Sequence, residues 1–264
     1  MVEKDILGTI VERKYDEVSG RREQVPVLEL KKQIHRQHPR RSFVDAIQEK
    51  IRHKEAAVIA EVKKASPSKG VIREDFDPIA IAKSYERSGA TCLSVLTDVH
   101  FFQGSDRYLE MVKSSSSLPV LRKDFIVDVY QVYEAKAIGA DCILLIAAIL
   151  DIEKLHEFYD LAMSLSLDVL VEVHNKLELD KALTLSPAMV GVNNRNLKTF
   201  EVSLDTTLGL LSHIPSDVIV ITESGISKRD DVDRMLSNEV YGFLVGEAFM
   251  REPEPGVALK SLFT

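Results

Sequence analysis

Tryptophan is absent from the 264 residues, and cysteine occurs only twice. Cys92 and Cys142 lie in separate apolar runs. That excludes a disulfide framework and a cysteine zinc motif, and predicts two buried thiols in a reducing compartment. Long hydrophobic runs are also missing. The longest, Cys142 to Leu150, is less than half of the ~20 residues that span a bilayer. No basic excess exists: 34 Lys+Arg against 41 Asp+Glu leave a net charge of −7, which argues against general nucleic-acid binding. The opening Met1-Val2-Glu3-Lys4-Asp5 has no apolar signal core, so a cytoplasmic location is expected. Neither a dinucleotide glycine fingerprint, a Walker loop, H-E-x-x-H nor an N-x-S/T site occurs. His35 and His38 are three apart, but Pro39 and a basic stretch follow, which favours a solvated loop over a metal site. The 45% of apolar residues excludes disorder as the dominant state.

Two regimes of patterning follow. Over residues 1–50, Ile6-Leu7, Ile10-Val11 and Val18 have rough helical spacing. A second apolar patch covers Val25 to Leu28, and Phe43, Val44, Ile47 and Ile51 form another helical stripe. Two or three helices joined by a polar link from His35 to Arg41 are expected, as an extension packed on the rest. From residue 56 a short apolar strand and an amphipathic helix alternate. Strands are predicted at 57–63, 91–96, 119–122, 141–146, 168–173, 188–193, 218–222 and 241–245. Helices are predicted near 78–88, 106–115, 128–138, 151–165, 175–184, 204–212, 228–236 and 256–262. Ser88-Gly89-Ala90-Thr91-Cys92 and Ile138-Gly139-Ala140-Asp141-Cys142 echo each other, each with a glycine placed to end a helix in the left-handed conformation. Runs such as Cys142 to Ile146 are apolar on both faces, as buried parallel strands are. The pattern predicts an α/β chain, a (β/α)8 TIM barrel with an N-terminal helical extension, forming one domain over 1–264. The alternative, an open doubly wound sheet, usually carries a glycine-rich first turn. The turn here reads Lys63-Lys64-Ala65-Ser66-Pro67-Ser68-Lys69-Gly70.

In such a barrel the chemistry sits at the carboxyl ends of the strands. Those ends read Glu61-Val62-Lys63, Leu121-Arg122-Lys123-Asp124-Phe125, Glu172-Val173-His174, Asn193-Asn194-Arg195, Glu223-Ser224-Gly225 and Gly246-Glu247. Charges that end apolar strands are costly unless paired or used. A structural ion-pair layer in the barrel mouth is the competing explanation. Ser224-Gly225 and Gly246, in the last two loops, fit a phosphate cradle of backbone N–H groups. His174 reads as an incidental loop histidine.

These segments resemble the indole-3-glycerol-phosphate synthase family. The resemblance runs through Ile59 to Ser68, Leu121 to Asp128, Val192 to Leu197, Glu223 to Ile226 and Leu244 to Glu247, and the opening Ile6 to Lys14 is similar too. It implies ring closure, decarboxylation and dehydration of 1-(2-carboxyphenylamino)-1-deoxy-ribulose 5-phosphate in tryptophan biosynthesis. It further implies a monomer that uses no cofactor or metal. By the family's motifs, Lys123 is the catalytic acid and Glu172 a catalytic base. Glu61 is the second motif carboxylate, and Lys63 is a lysine that meets the substrate and delivers a proton. Ser66, Phe125, Asn193, Arg195, Glu223, Ser224, Gly225 and Gly246 match substrate-contacting positions. Glu247 departs from the serine of some members, so it is expected to turn away and favour the helix N-terminus through the dipole. The expected acid chemistry has Arg122 and Lys63 lower the Lys123 pKa as neighbouring cations. Competing functions are a sugar-phosphate isomerase, a Schiff-base aldolase using Lys123 or Lys63, and a non-catalytic barrel.

Overall fold

The computed structural model describes residues 6–34, 40–197 and 199–264. His35 and His38 lie outside the described residues. Eight parallel strands close into a barrel. They are β1 (Ala57–Val62), β2 (Cys92–Leu96), β3 (Val120–Lys123), β4 (Cys142–Ile146), β5 (Asp168–Val173), β6 (Met189–Asn193), β7 (Ile219–Glu223) and β8 (Gly242–Val245). β1 closes the ring, pairing with β2 through Ile59 and Cys92 and with β8 through Ala57 and Gly242. The predicted strand set is therefore the observed one, shifted by a residue or two at its ends.

Local chemistry explains the helices between strands. Asp77 caps α4 (Pro78–Arg87), accepting from the N–H groups of Ile79 and Ala80, with proline in the first turn. Ser105, Asp128, Asp151 and Asn175 cap α5 (Asp106–Ser115), α6 (Val129–Ala137), α7 (Ile152–Ser164) and α8 (Lys176–Leu183) in the same way. Gly89 and Gly139 have φ of 90° and 91°, as their echoed sequences require. Beyond β6 come α9 (Asp205–Leu210), with a 3₁₀ turn over Leu211–His213, then α10 (Arg229–Leu236), α11 (Glu247–Met250) and α12 (Pro255–Phe263). The one-turn α11 lies outside the predicted helix and strand ranges, since four residues show no periodicity. The same holds for a small antiparallel pair, Ala65–Ser66 with Gly70–Val71, in the loop after β1. No described helix is long and apolar enough to cross a membrane.

Side chains alternate between two cores. Val58, Leu93, Val120, Ile143 and Val169 face the helices. Ile59, Leu121, Leu170 and Ile221 fill the barrel interior, each 0% exposed. Residues two further along the odd strands are Glu61, Lys123, Glu172 and Glu223, so period-two alternation aims all four into the mouth. The stagger of the barrel levels them: Glu61 is in register with Ser94, Ser94 with Leu121, and Lys123 stands two beyond.

Three helices precede β1: α1 (Ile6–Gln24), α2 (Val27–Ile34) and α3 (Phe43–Arg52). α3 plugs the amino-terminal end of the barrel with Phe43 and Ile47, both fully buried against the interior core. Its first N–H groups, from Phe43 and Val44, donate to Asp168 Oδ2 at 2.8 and 3.2 Å. A carboxylate there contributes about 0.5–2 kcal/mol as a cap. α1 serves the opposite end. Buried Lys14 reaches Asp98 at 2.8 Å, Asp124 at 3.0 Å and Glu17 at 2.8 Å.

Candidate active site

A cavity of about 620 Å³ opens at the carboxyl ends of the strands, within the range of small-molecule sites. Glu61, Lys63, Ser66, Lys123, Phe125, Glu172, Asn193, Arg195, Glu223, Ser224, Gly225 and Gly246 all line it. All twelve residues singled out from the sequence thus face one space.

Lys123 Nζ stands between two carboxylates, 3.1 Å from Glu223 Oε2 and 3.3 Å from Glu172 Oε2. Burial alone would favour the neutral amine, but Glu223, Glu172 and Glu61 outweigh it and hold the lysine charged well above its usual range. This corrects the expectation of cation neighbours. Arg122 is adjacent in sequence and therefore points to the other side of the strand. It is fully buried there, bonding Glu134 at 2.7 Å and both Asp106 and the Gln131 carbonyl at 3.0 Å. Lys63 pairs with Glu61 Oε2 at 2.5 Å.

The two carboxylates that flank Lys123 do not titrate alike. Glu223 is pushed up to about 7, first by burial and then by Glu172, against the pull of Lys123. Its Oε1 has no hydrogen-bond partner among the described residues. Burial acts on Glu172 as well, but Lys123, His174 and the Asn193 amide hold it below the usual carboxylate range. A site with one carboxyl ionised and another near half-protonated at neutrality can both take and give a proton.

Asn193 organises the neighbouring loops. Its Nδ2 donates to Glu172 Oε1 at 3.3 Å, and its Oδ1 accepts from the Arg195 N–H at 3.0 Å and Ser224 Oγ at 2.9 Å. Ser224 and Gly225 have φ of 65° and 87° in succession. Serine in that region is strained, and such strain collects at functional sites. Asn194, which the sequence reading passed over, holds this turn: its buried Nδ2 donates to the carbonyls of Glu223 and Ser224 at 3.0 Å. Gly246 leaves room for an acid, because a Cβ there would lie 2.3 Å from Glu61 Oε2.

Glu247 departs from the expectation that it turns away. It sits in the first turn of α11 but lines the cavity, 3.5 Å from Arg195 and 2.9 Å from Arg251. Ile6, Leu7 and Ile10 of α1 also line the cavity, as do Leu197, Phe200 and Val202. Those apolar residues carried no chemical signal in the sequence.

The family model for indole-3-glycerol phosphate synthase matches residues 7–262. The chain belongs to that family. Its activity is that of the family, a decarboxylating lyase of tryptophan biosynthesis. Two solved structures share the fold. KGPDC from Streptococcus mutans aligns with a TM-score of 0.61 at 11% identity, over 79% of this chain and 96% of that one. Tryptophan synthase subunit alpha from Legionella pneumophila str. Paris aligns with a TM-score of 0.63 at 11% identity, over 84% and 97%. At that identity the likeness is one of fold alone. In (β/α)8 barrels the active site lies at the carboxyl ends of the strands, the end at which this cavity opens.

Proposed function

We propose that this cavity binds 1-(2-carboxyphenylamino)-1-deoxy-ribulose 5-phosphate, and that Lys123, Glu172, Glu61 and Lys63 convert it to indole-3-glycerol phosphate, CO₂ and water. The observation that carries the reading is the direct contact of lysines and carboxylates around one cavity. In ring closure, the aromatic carbon bearing the carboxylate attacks the keto carbon, and the keto oxygen takes a proton. Lys123, kept as an ammonium, donates to that oxygen and stabilises its developing charge. Loss of CO₂ then restores the aromatic ring. Phe125, tilted against Phe102 with centroids 5.9 Å apart, gives the apolar wall that excludes water from this step. In the last step the hydroxyl leaves as water. Lys63 supplies its proton, Glu61 keeps Lys63 in place, and Glu172 takes the proton released from the indoline. Each such group contributes about 10²–10⁴-fold.

Ser224, Gly225 and Gly246 bracket the phosphate in this reading, with Arg195, Asn193 and Ser66 contacting the rest of the substrate. Glu247 acts on Arg195 and Arg251 and leaves the phosphate itself to the loops. Residues 1–50 belong to the same working unit, as the α1 side chains on the cavity wall support. In this reading the enzyme acts as a cytoplasmic monomer, and its two buried free thiols fit a reducing compartment.

The test is direct. The protein contains no tryptophan, so indole fluorescence appearing on mixing with the carboxyphenylamino substrate reports product against a dark background. No signal at high enzyme concentration overturns the reading.

A further inference from the structure

His174 was set aside as incidental in the sequence, yet its ring is held at Nδ1 and faces Glu172 with Nε2. It follows β5 directly, and its side chain is 12% exposed. Glu178, in the first turn of α8, accepts the His174 backbone N–H at 2.8 Å and lies 2.9 Å from Nδ1, both through Oε2. Glu178 is itself clamped, since Asn175 Nδ2 donates to its Oε1 at 2.6 Å and its N–H donates to Asn175 Oδ1 at 3.0 Å. A carboxylate engaged by donors at both oxygens requires a hydrogen on His174 Nδ1. The remaining nitrogen, Nε2, is buried, has no hydrogen-bond partner among the described residues, and points toward Glu172 Oε1 at 3.4 Å.

We propose that His174 is a positioning residue for the reaction: its imidazolium, oriented by Glu178, presents Nε2–H to Glu172 and keeps that carboxylate ionised and aimed into the cavity. The inference rests on Glu172 being the base. Lys123 is the other cation on Glu172, at 3.3 Å from Oε2. When Lys123 turns to the substrate's keto oxygen, Glu172 would lose that counter-charge and take up a proton too early. His174 remains behind it. The charged groups facing the imidazole are Glu172 from β5, Glu178 from α8 and Glu223 from β7, with Lys123 on the far side of Glu172. Burial favours the neutral ring, but these carboxylates outweigh it and raise His174 above the ordinary imidazole range.

The experiment compares pH profiles of kcat/KM for the unmodified enzyme, His174→Asn, His174→Gln and Glu172→Gln. His174→Asn keeps a donor near the Nδ1 position for Glu178, so the turn into α8 stands, while the positive charge facing Glu172 is removed. His174→Gln is the second variant, with a neutral donor near the Nε2 position. In both, the expected result is an acidic limb moved up by about 1 pH unit, as for loss of a cation beside a carboxylate. A purely structural histidine would lower Tm and leave the limb in place. Acidic limbs that coincide with the unmodified enzyme, alongside an inactive Glu172→Gln, overturn the role of His174 alone. A Glu172→Gln enzyme with full activity overturns the assignment of Glu172 and this inference with it.

Discussion

Gly191 on β6 and the Glu223 carboxyl on β7 occupy adjoining space that admits only one side chain: a Cβ on Gly191 would lie 2.1 Å from Glu223 Oε1. The barrel wall omits a side chain on an even strand so that an acid on an odd strand can fold inward. Gly191→Ala is therefore expected to push the Glu223 carboxyl away from Lys123. Displacements of that size cost up to about 10²-fold in rate. Steady-state kinetics should show kcat reduced, with circular dichroism unchanged.

Lys123→Ala removes the ammonium between Glu172 and Glu223. Turnover should fall by about 10²–10⁴-fold, the scale of a lost general acid. The fold should survive, because the carboxylates left behind can take up protons. Single-turnover fluorescence and a thermal melt check both halves. A variant that unfolds while its residual folded fraction turns over normally would contradict the assignment.

Glu223, pushed up to about 7 chiefly by burial, should impose an inflection near neutrality on the kcat/KM profile, which reports the free enzyme. Glu223→Gln keeps the size of the side chain and cannot titrate. The expected outcome is loss of that inflection, read from kcat/KM between pH 5 and 9, about two units to either side.

Stability should follow a second carboxylate. Burial opposes the charge on Asp124, but Lys14, Arg122 and the Thr97 hydroxyl hold its carboxyl far below the usual range. A depressed folded value means the stabilisation is complete above the unfolded value of about 3.9 and is lost as pH falls below it. Asp124→Asn should lower stability at neutral pH and flatten its decline in acid. Urea melts at a series of pH values give the comparison. Lys14→Met, which strands Asp98 and Asp124 without their ammonium, should cost about 3–5 kcal/mol, as breaking a buried pair does.

The strands could be read from the sequence because parallel barrel strands are apolar on both faces, and the helix starts because Asp77, Ser105, Asp128, Asp151 and Asn175 are capping residues. The charged side of the site was equally legible, since Glu61, Lys123, Glu172 and Glu223 stand out at the ends of apolar runs. What failed were statements about neighbours. Arg122 looked like a companion of Lys123 but faces the helices, because adjacent strand residues point apart. Nothing in the sequence marks Lys14 as buried; its partners Asp98 and Asp124 lie far along the chain, and ion pairs across such separations leave no local pattern. His174 and Asn194 were passed over for a related reason. Each acts through a residue brought close only by the closed ring or the turn after β5.

The leading segment makes its bonds with residues synthesised long after it. Phe43 and Val44 wait for Asp168, and Lys14 waits for Asp124. During translation the first three helices therefore emerge without the surfaces that hold them, and they dock only when more than half the ring exists. Long sequence separations of this kind slow folding. They also make early release or truncation of the nascent chain costly, because apolar stripes such as Phe43 and Ile47 stay uncovered until the later strands arrive.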